Sequence, residues 1–172
     1  DRHRRRPGGA GGEFAVRPLR LLADERRSGL ALQDRVSIPE TPAAVEAGEA
    51  AYEDAGITPE DVDVAEVHDC FTIAEVLALE SLGFYEPGEA ITAAKEGETT
   101  IDGALPVNLS GGLKAKGHPV GATGGAQISE MTKLLRGDHV NSDAVSDATV
   151  GLTHNAGGTV ASCAVHVLEV VE

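Results

Sequence analysis

Three observations predict an α/β domain for this chain. Segments with strand alternation and segments with helical spacing follow one another from Thr41 to Arg136, a glycine cluster lies between a short apolar run and a helix, and two β-rich runs close the C-terminus around a glycine-containing turn. A length of 172 residues suits one domain and is short for two. With 41% apolar residues, 3% aromatics and no Trp, its core must be built from Ala, Val, Leu and Gly, so backbones are expected to pack closely.

Residues 1–35 stand apart. They are rich in Arg and Gly, show no clean helical or strand period, and are expected to be poorly ordered, leaving residues 36–172 as the folded domain. The first regular element is a helix, with Thr41 as N-cap, Pro42 at the first helical position, Ala-rich sequence through Ala55 and Gly56 as its stop. Thr58-Pro59-Glu60-Asp61 opens at most a turn of helix. Apolar and polar residues then alternate over Val62–His68, which predicts a strand ending at His68-Asp69-Cys70. Thr72 is the expected cap of a helix through Leu82, stopped by Gly83. A loop rich in Gly, Glu and Pro runs through residue 106, followed by the apolar run Val107-Asn108-Leu109, the cluster Gly111–Gly125 and a helix from about Thr123 to Arg136. Strands are expected over Ala148–Thr153 and Thr159–Val170, with His154-Asn155-Ala156-Gly157-Gly158 as the turn between them.

A formal charge of −14 excludes nucleic-acid binding as a leading function, because a polyphosphate partner requires a basic surface that releases counterions. Nine of the 14 cationic residues are Arg within residues 1–35, so the remainder is strongly acidic. Such a surface fits a salt-rich cytosol or an ordinary acidic protein. No apolar stretch approaches a membrane span, and Cys70 and Cys163 lack metal-ligand spacing, so a reducing cytoplasm, no membrane partner and no metal are the expectations.

Two motifs could carry chemistry. Ser110 to Gly125 contains six glycines between a strand and a helix, where backbone can approach a ligand. Gly112 to Gly117 has the glycine spacing of a phosphate loop, but His118-Pro119 stands where Lys-Ser/Thr is required, which excludes that reading. His68-Asp69-Cys70-Phe71 sets an imidazole and a thiol two residues apart at a strand end, where both can reach one cleft. Taken alone, a buried Cys is usually packing and a His usually a satisfied polar group. Zinc binding by His68, Cys70, His118 and His154 is disfavoured, since no pair has the short spacing of a structural site.

Together with His154-Asn155-Ala156-Gly157-Gly158, these motifs resemble the successive catalytic loops of thiolases, the fourteen-residue segment GGLKAKGHPVGATG being the most specific of them. The resemblance covers roughly residues 41–172 and implies a thiolase-like C-terminal domain, a mixed sheet with helices on its faces. It is nearest to sterol-carrier-protein-type and archaeal thiolases, which carry HDCF where other thiolases carry NEAF. By resemblance, His118 activates a nucleophile and helps bind the thioester oxygen, His68 completes that oxyanion site, and Cys70 shuttles the proton. The Gly157 amide lies near a second oxyanion, while Asn155, Gly117 and Ser110 contribute to substrate binding. Cys163, in the last strand, is assigned to packing. No cofactor is implied beyond coenzyme A as part of the thioester substrate.

The family's nucleophilic cysteine belongs to an N-terminal half, and no Cys precedes Cys70 here. A thiolase-type acyltransferase half acting with an N-terminal half is therefore one reading, an inactive remnant that folds or binds coenzyme A a second, and a non-catalytic interaction module a third. By resemblance the expected partners are an acyl-CoA substrate, a thiolase N-terminal half, an OB-fold protein, a hydroxymethylglutaryl-CoA synthase and further copies in an oligomer.

Overall fold

The computed structural model describes residues 15–18, 22–23, 41–158 and 162–171. The described elements are, in chain order, β1 (Ala15–Pro18), β2 (Leu22–Ala23), α1 (Pro42–Ala55), β3 (Val64–Glu66), α2 (Thr72–Ser81), α3 (Ala90–Glu96), α4 (Gly112–Lys116), α5 (Thr123–Arg136), β4 (Val150–Gly157) and β5 (Ser162–Val171). A 3₁₀ turn at Pro59–Asp61 and another at Ser142–Val145 complete them.

The sheet is mixed, in the order β1-β5-β4-β3, with β2 also pairing β5. β3 runs parallel to β4, placing Glu66 beside Thr153, and the other pairings are antiparallel. Side-chain alternation divides the core between the two faces of this sheet. Ala65 and Val67 join Leu152, Cys163, Val165 and Val167 under α1 and α2, where Ala44, Ala47, Ala51, Leu79 and Leu82 cover them. On the other face Val64 and Leu168 meet Met131, Leu134 and Leu135 of α5. The small residues predicted from composition permit this close packing: a Cβ added at Gly151 would lie 2.3 Å from Met131 Sδ.

Several boundaries agree with the sequence. α1 begins at Pro42 and ends on Gly56 in the left-handed region, and α5 spans Thr123–Arg136. The cap at Thr41 works differently from the expectation, however. Its hydroxyl makes no cap bond and is paired with the Ser81 hydroxyl, which ties the start of α1 to the end of α2. Thr72 is likewise the first helical residue of α2 rather than its cap. The predicted strand over Val62–His68 contracts to Val64–Glu66, and all three of its residues are buried because helices cover both faces. Within the expected loop before residue 106 lies the short helix α3.

One further expectation needs correction. His154–Gly157 is not the hairpin turn: β4 continues through Gly157, held by a register that pairs His154 with Val165 and Gly157 with Ser162. Within the segment expected to be poorly ordered, Ala15–Pro18 and Leu22–Ala23 are strands on β5, with Ala15 opposite Val171 and Leu22 opposite Val165. Most of residues 1–35, to which that expectation also applied, lies outside the described residues.

Candidate active site

The site gathers where β3 leaves the sheet beside β4. Glu66 ends β3 on the face toward α5, on which Asn155 of β4 also lies, and His68 follows two residues beyond the strand end. His68 Nδ1 and Asn155 Oδ1 are 3.0 Å apart. A carboxamide oxygen can only accept, so His68 Nδ1 carries the proton in this arrangement. Close approach of α5 is required here: a Cβ at Gly124 would sit 3.2 Å from Asn155 Nδ2.

The glycine segment brings the second imidazole. The rings of His68 and His118 meet edge to face, with centroids 5.0 Å apart and planes at 73°. His118 Nδ1 lies 2.8 Å from Thr123 Oγ1, and that hydroxyl donates to the Pro119 carbonyl at 3.3 Å. Having spent its only proton there, the hydroxyl accepts from His118 Nδ1–H. In the neutral imidazole this bond places the lone pair on the outer nitrogen, Nε2, of an exposed residue, which is the tautomer required of a general base.

Three tethers bind this segment to β3 and its exit. Asn108 Oδ1 accepts from Val67 N at 2.9 Å, Glu66 accepts from Ser110, and Asp69 accepts from Leu113 N at 2.9 Å. Asn108 occupies the left-handed region with φ 54°, a conformation Asn tolerates better than most residues. At Gly112, φ is 61° and a Cβ would lie 2.0 Å from Asp69 Oδ2, so only glycine allows the carboxylate to reach the Leu113 amide.

The sequence-predicted residues are thus partly assembled. His68, His118 and Asn155 converge. Gly117, with φ 79°, ends α4 directly before His118, and the exposed Gly157 closes β4. Ser110 is engaged internally with Glu66 and Lys116. Cys70 is exposed at the β3–α2 junction and takes no part in this hydrogen-bond network among the described residues. Cys163 is buried, its thiol pushed up to about 12 by desolvation, as suits a packing residue.

Behind the site lies a group whose connections sequence reasoning did not reveal. His154 is buried, accepts from His68 N at 3.5 Å through Nδ1, and places Nε2 3.5 Å from Cys163 Sγ. Gln127 of α5 donates to the His154 carbonyl at 2.9 Å, so α5 grips β4 at the level of the site. Thr123, Gln127, Glu66 and Lys116 all escaped notice. Only Glu66 left a signal, two residues before His68 and hence on the same face of the strand expected over Val62–His68.

Burial makes this region sensitive to acid. Desolvation pushes His154 down to about 4, and the neighbouring His68 ring adds to the effect. His68 is also lowered, by burial first and by His118, against the opposing hydrogen bond it donates to Asn155. A folded-state value below the unfolded one, about 6.5, means that stability is complete above that pH and is lost as pH falls towards 4. For His154 alone the loss should be on the order of 2 kcal/mol at pH 5. Denaturant midpoints at pH 7.5 and pH 5 measure it, and equal midpoints would contradict a neutral, buried His154.

Known proteins resemble this chain in sequence and in fold. The family model described as thiolase C-terminal domain-like matches residues 25–170. An acetyl-CoA acetyltransferase of Methanothermobacter thermautotrophicus is 48% identical over 156 residues, covering 90% of this chain and 40% of its own length. Human sterol carrier protein 2 is 46% identical over 112 residues, covering 65% of this chain and 20% of its own. Among solved structures, a chain of the Ltp2-ChsH2(DUF35) aldolase superposes with a TM-score of 0.70 and 31% identity, covering 80% of this chain and 34% of that one. The chain therefore spans less than half the length of these relatives. The family match begins upstream of Thr41, so the likeness extends into the segment that sequence reasoning had set apart. With this sheet, these two histidine loops and a match over most of its length, the chain belongs to the thiolase C-terminal domain-like family.

Proposed function

We propose that this chain forms the acid/base and oxyanion-binding part of a thiolase-type acyltransferase acting on coenzyme A thioesters of the acetyl-CoA and acetoacetyl-CoA type, with a nucleophilic cysteine supplied by an N-terminal half. The observation that carries this reading is the edge-to-face pair of His68 and His118, each anchored through Nδ1. In the proposed reaction, His118 Nε2 takes the proton of the incoming thiol, the thiolate attacks the thioester carbonyl, and the carbon–sulfur bond to coenzyme A breaks. The released thiolate recovers the proton from His118. His68, neutral and proton-bearing at Nδ1, offers its Nε2 lone pair to a water that donates to the thioester oxygen. Cys70 exchanges the proton of the second substrate's α-carbon, and the Gly157 amide donates to the second oxyanion.

Acetyl-CoA production from acetoacetyl-CoA and coenzyme A tests the reading. It should be absent with this chain alone and should appear on adding the N-terminal half of a related HDCF-type thiolase. Persistent silence of a complex that forms would favour a non-catalytic module. The aldolase named among the structural neighbours supports a second reading, carbon–carbon cleavage without an acyl-enzyme. That reaction would proceed without free coenzyme A, whereas thiolysis consumes it.

A further inference from the structure

We propose that the Glu66–Lys116 ion pair, bridged by Ser110, positions His118 against His68; in assigning this pair a purpose, the inference rests on the reading of the two histidines given above. Glu66 is 0% exposed. Its Oε1 accepts from Ser110 N at 2.8 Å, and its Oε2 accepts from Ser110 Oγ at 2.5 Å and from Lys116 Nζ at 3.3 Å. Lys116 Nζ also donates to Ser110 Oγ at 2.6 Å, so the hydroxyl donates to the carboxylate and accepts from the ammonium. A buried carboxylate needs such partners, since desolvation is offset only by good pairing and hydrogen bonds.

The tether's placement gives it its consequence. Ser110 precedes α4 and Lys116 ends it, so one carboxylate of β3 holds both ends of that helix. Left-handed φ values at Gly111, Gly112 and Gly117 make the segment conformationally permissive, and external contacts must select its path. The start of α4 has independent anchors in Asp69–Leu113 and Asn108–Val67. At its end, Lys116 is the side chain tied back to β3, and Gly117-His118 follows immediately. Glu66 is the last residue of β3 and His68 lies two residues beyond it, so the segment that leads to one imidazole also fixes the chain leading to the other. Lys116 and Glu66 are accordingly positioning residues.

Lys116→Met tests this on the chain itself. The Lys116 side chain is 21% exposed, Met preserves much of its apolar stem, and Glu66 retains both Ser110 donors. With histidine-selective labelling, the wild-type chain should show a nuclear Overhauser contact between the His68 and His118 rings. In Lys116→Met the contact should weaken at least several-fold, while the helical circular dichroism and the amide shifts of α1 stay unchanged. Lys133→Met, which breaks a surface pair with Glu130, should leave the contact intact. Should Lys116→Met fail to fold, Glu66→Gln supplies the same reading with a near-isosteric side chain. A ring contact of wild-type intensity in the folded variant overturns the proposal, whatever the activity does. Conversely, loss of the contact with undiminished turnover of the complex would uphold the clamp and sink the catalytic reading of the histidines.

Discussion

Replacing His118 with Ala in the complex with an N-terminal half should lower kcat/KM by at least about 10²–10⁴-fold, the usual contribution of a general acid/base, because the same nitrogen receives and returns the nucleophile's proton. Loss of its contact to the thioester oxygen would add to this. The bonding around Thr123 makes the expectation specific. Its hydroxyl donates to Pro119 O and accepts from His118 Nδ1, which selects the neutral tautomer with its lone pair at Nε2. Thr123→Val should therefore lower the rate less than His118→Ala, since it releases the tautomer but retains the base. Single-turnover acylation is the informative measurement. A His118→Ala enzyme that acylates at the wild-type rate would remove His118 from the first step.

How much of this was legible in the sequence depended on where the determining interactions lie. Helix α5 could be delimited because its signals are local: helical spacing takes over at the end of the glycine cluster and Gly137 closes it in the left-handed region. α4 was hidden inside Gly111–Gly125, since glycine content argues against helix, and its start depends on the Asp69 carboxylate from a distant loop. His154-Asn155-Ala156-Gly157-Gly158 has turn composition, yet pairing with β5 carries β4 through Gly157. β1 and β2 offered still less. They are four and two residues long, too short to display a period, and their partner β5 lies at the far end of the chain.

The site divides along the same line. His68, His118 and Asn155 could be singled out as residue types in motifs, and the fold brings them together. The residues that hold them could not. Lys116 reads in the sequence as one more exposed cation, and Thr123 as the first residue of a helix, until tertiary structure sets a buried carboxylate beside one and an imidazole beside the other. Motif reading finds groups that meet substrate more readily than groups that orient them, because orientation is decided by contacts distant in sequence.

Replacing Cys70 with Ala should separate the two halves of the reaction. In the complex, steady-state turnover should fall by about 10²–10⁴-fold, as expected for removal of a general acid/base. Acylation from acetyl-CoA should change little, because it begins on the nucleophilic cysteine of the N-terminal half and uses His118. The acyl-enzyme should therefore accumulate, which rapid quenching and intact-mass measurement would reveal. The two cysteines of this chain provide an internal control. Cys70 is exposed at the β3–α2 junction, two residues after His68, whereas Cys163 is buried with its thiol held up near 12, too high to exchange protons readily at neutral pH. Cys163→Ala should leave turnover within a few-fold of wild type, provided the small cavity in the sheet core is tolerated. If Cys70→Ala turns over normally while Cys163→Ala does not, the proton shuttle has been assigned to the wrong thiol. If Cys70→Ala instead fails to acylate at all, Cys70 serves the first chemical step, and the division of labour between this chain and an N-terminal half would have to be redrawn.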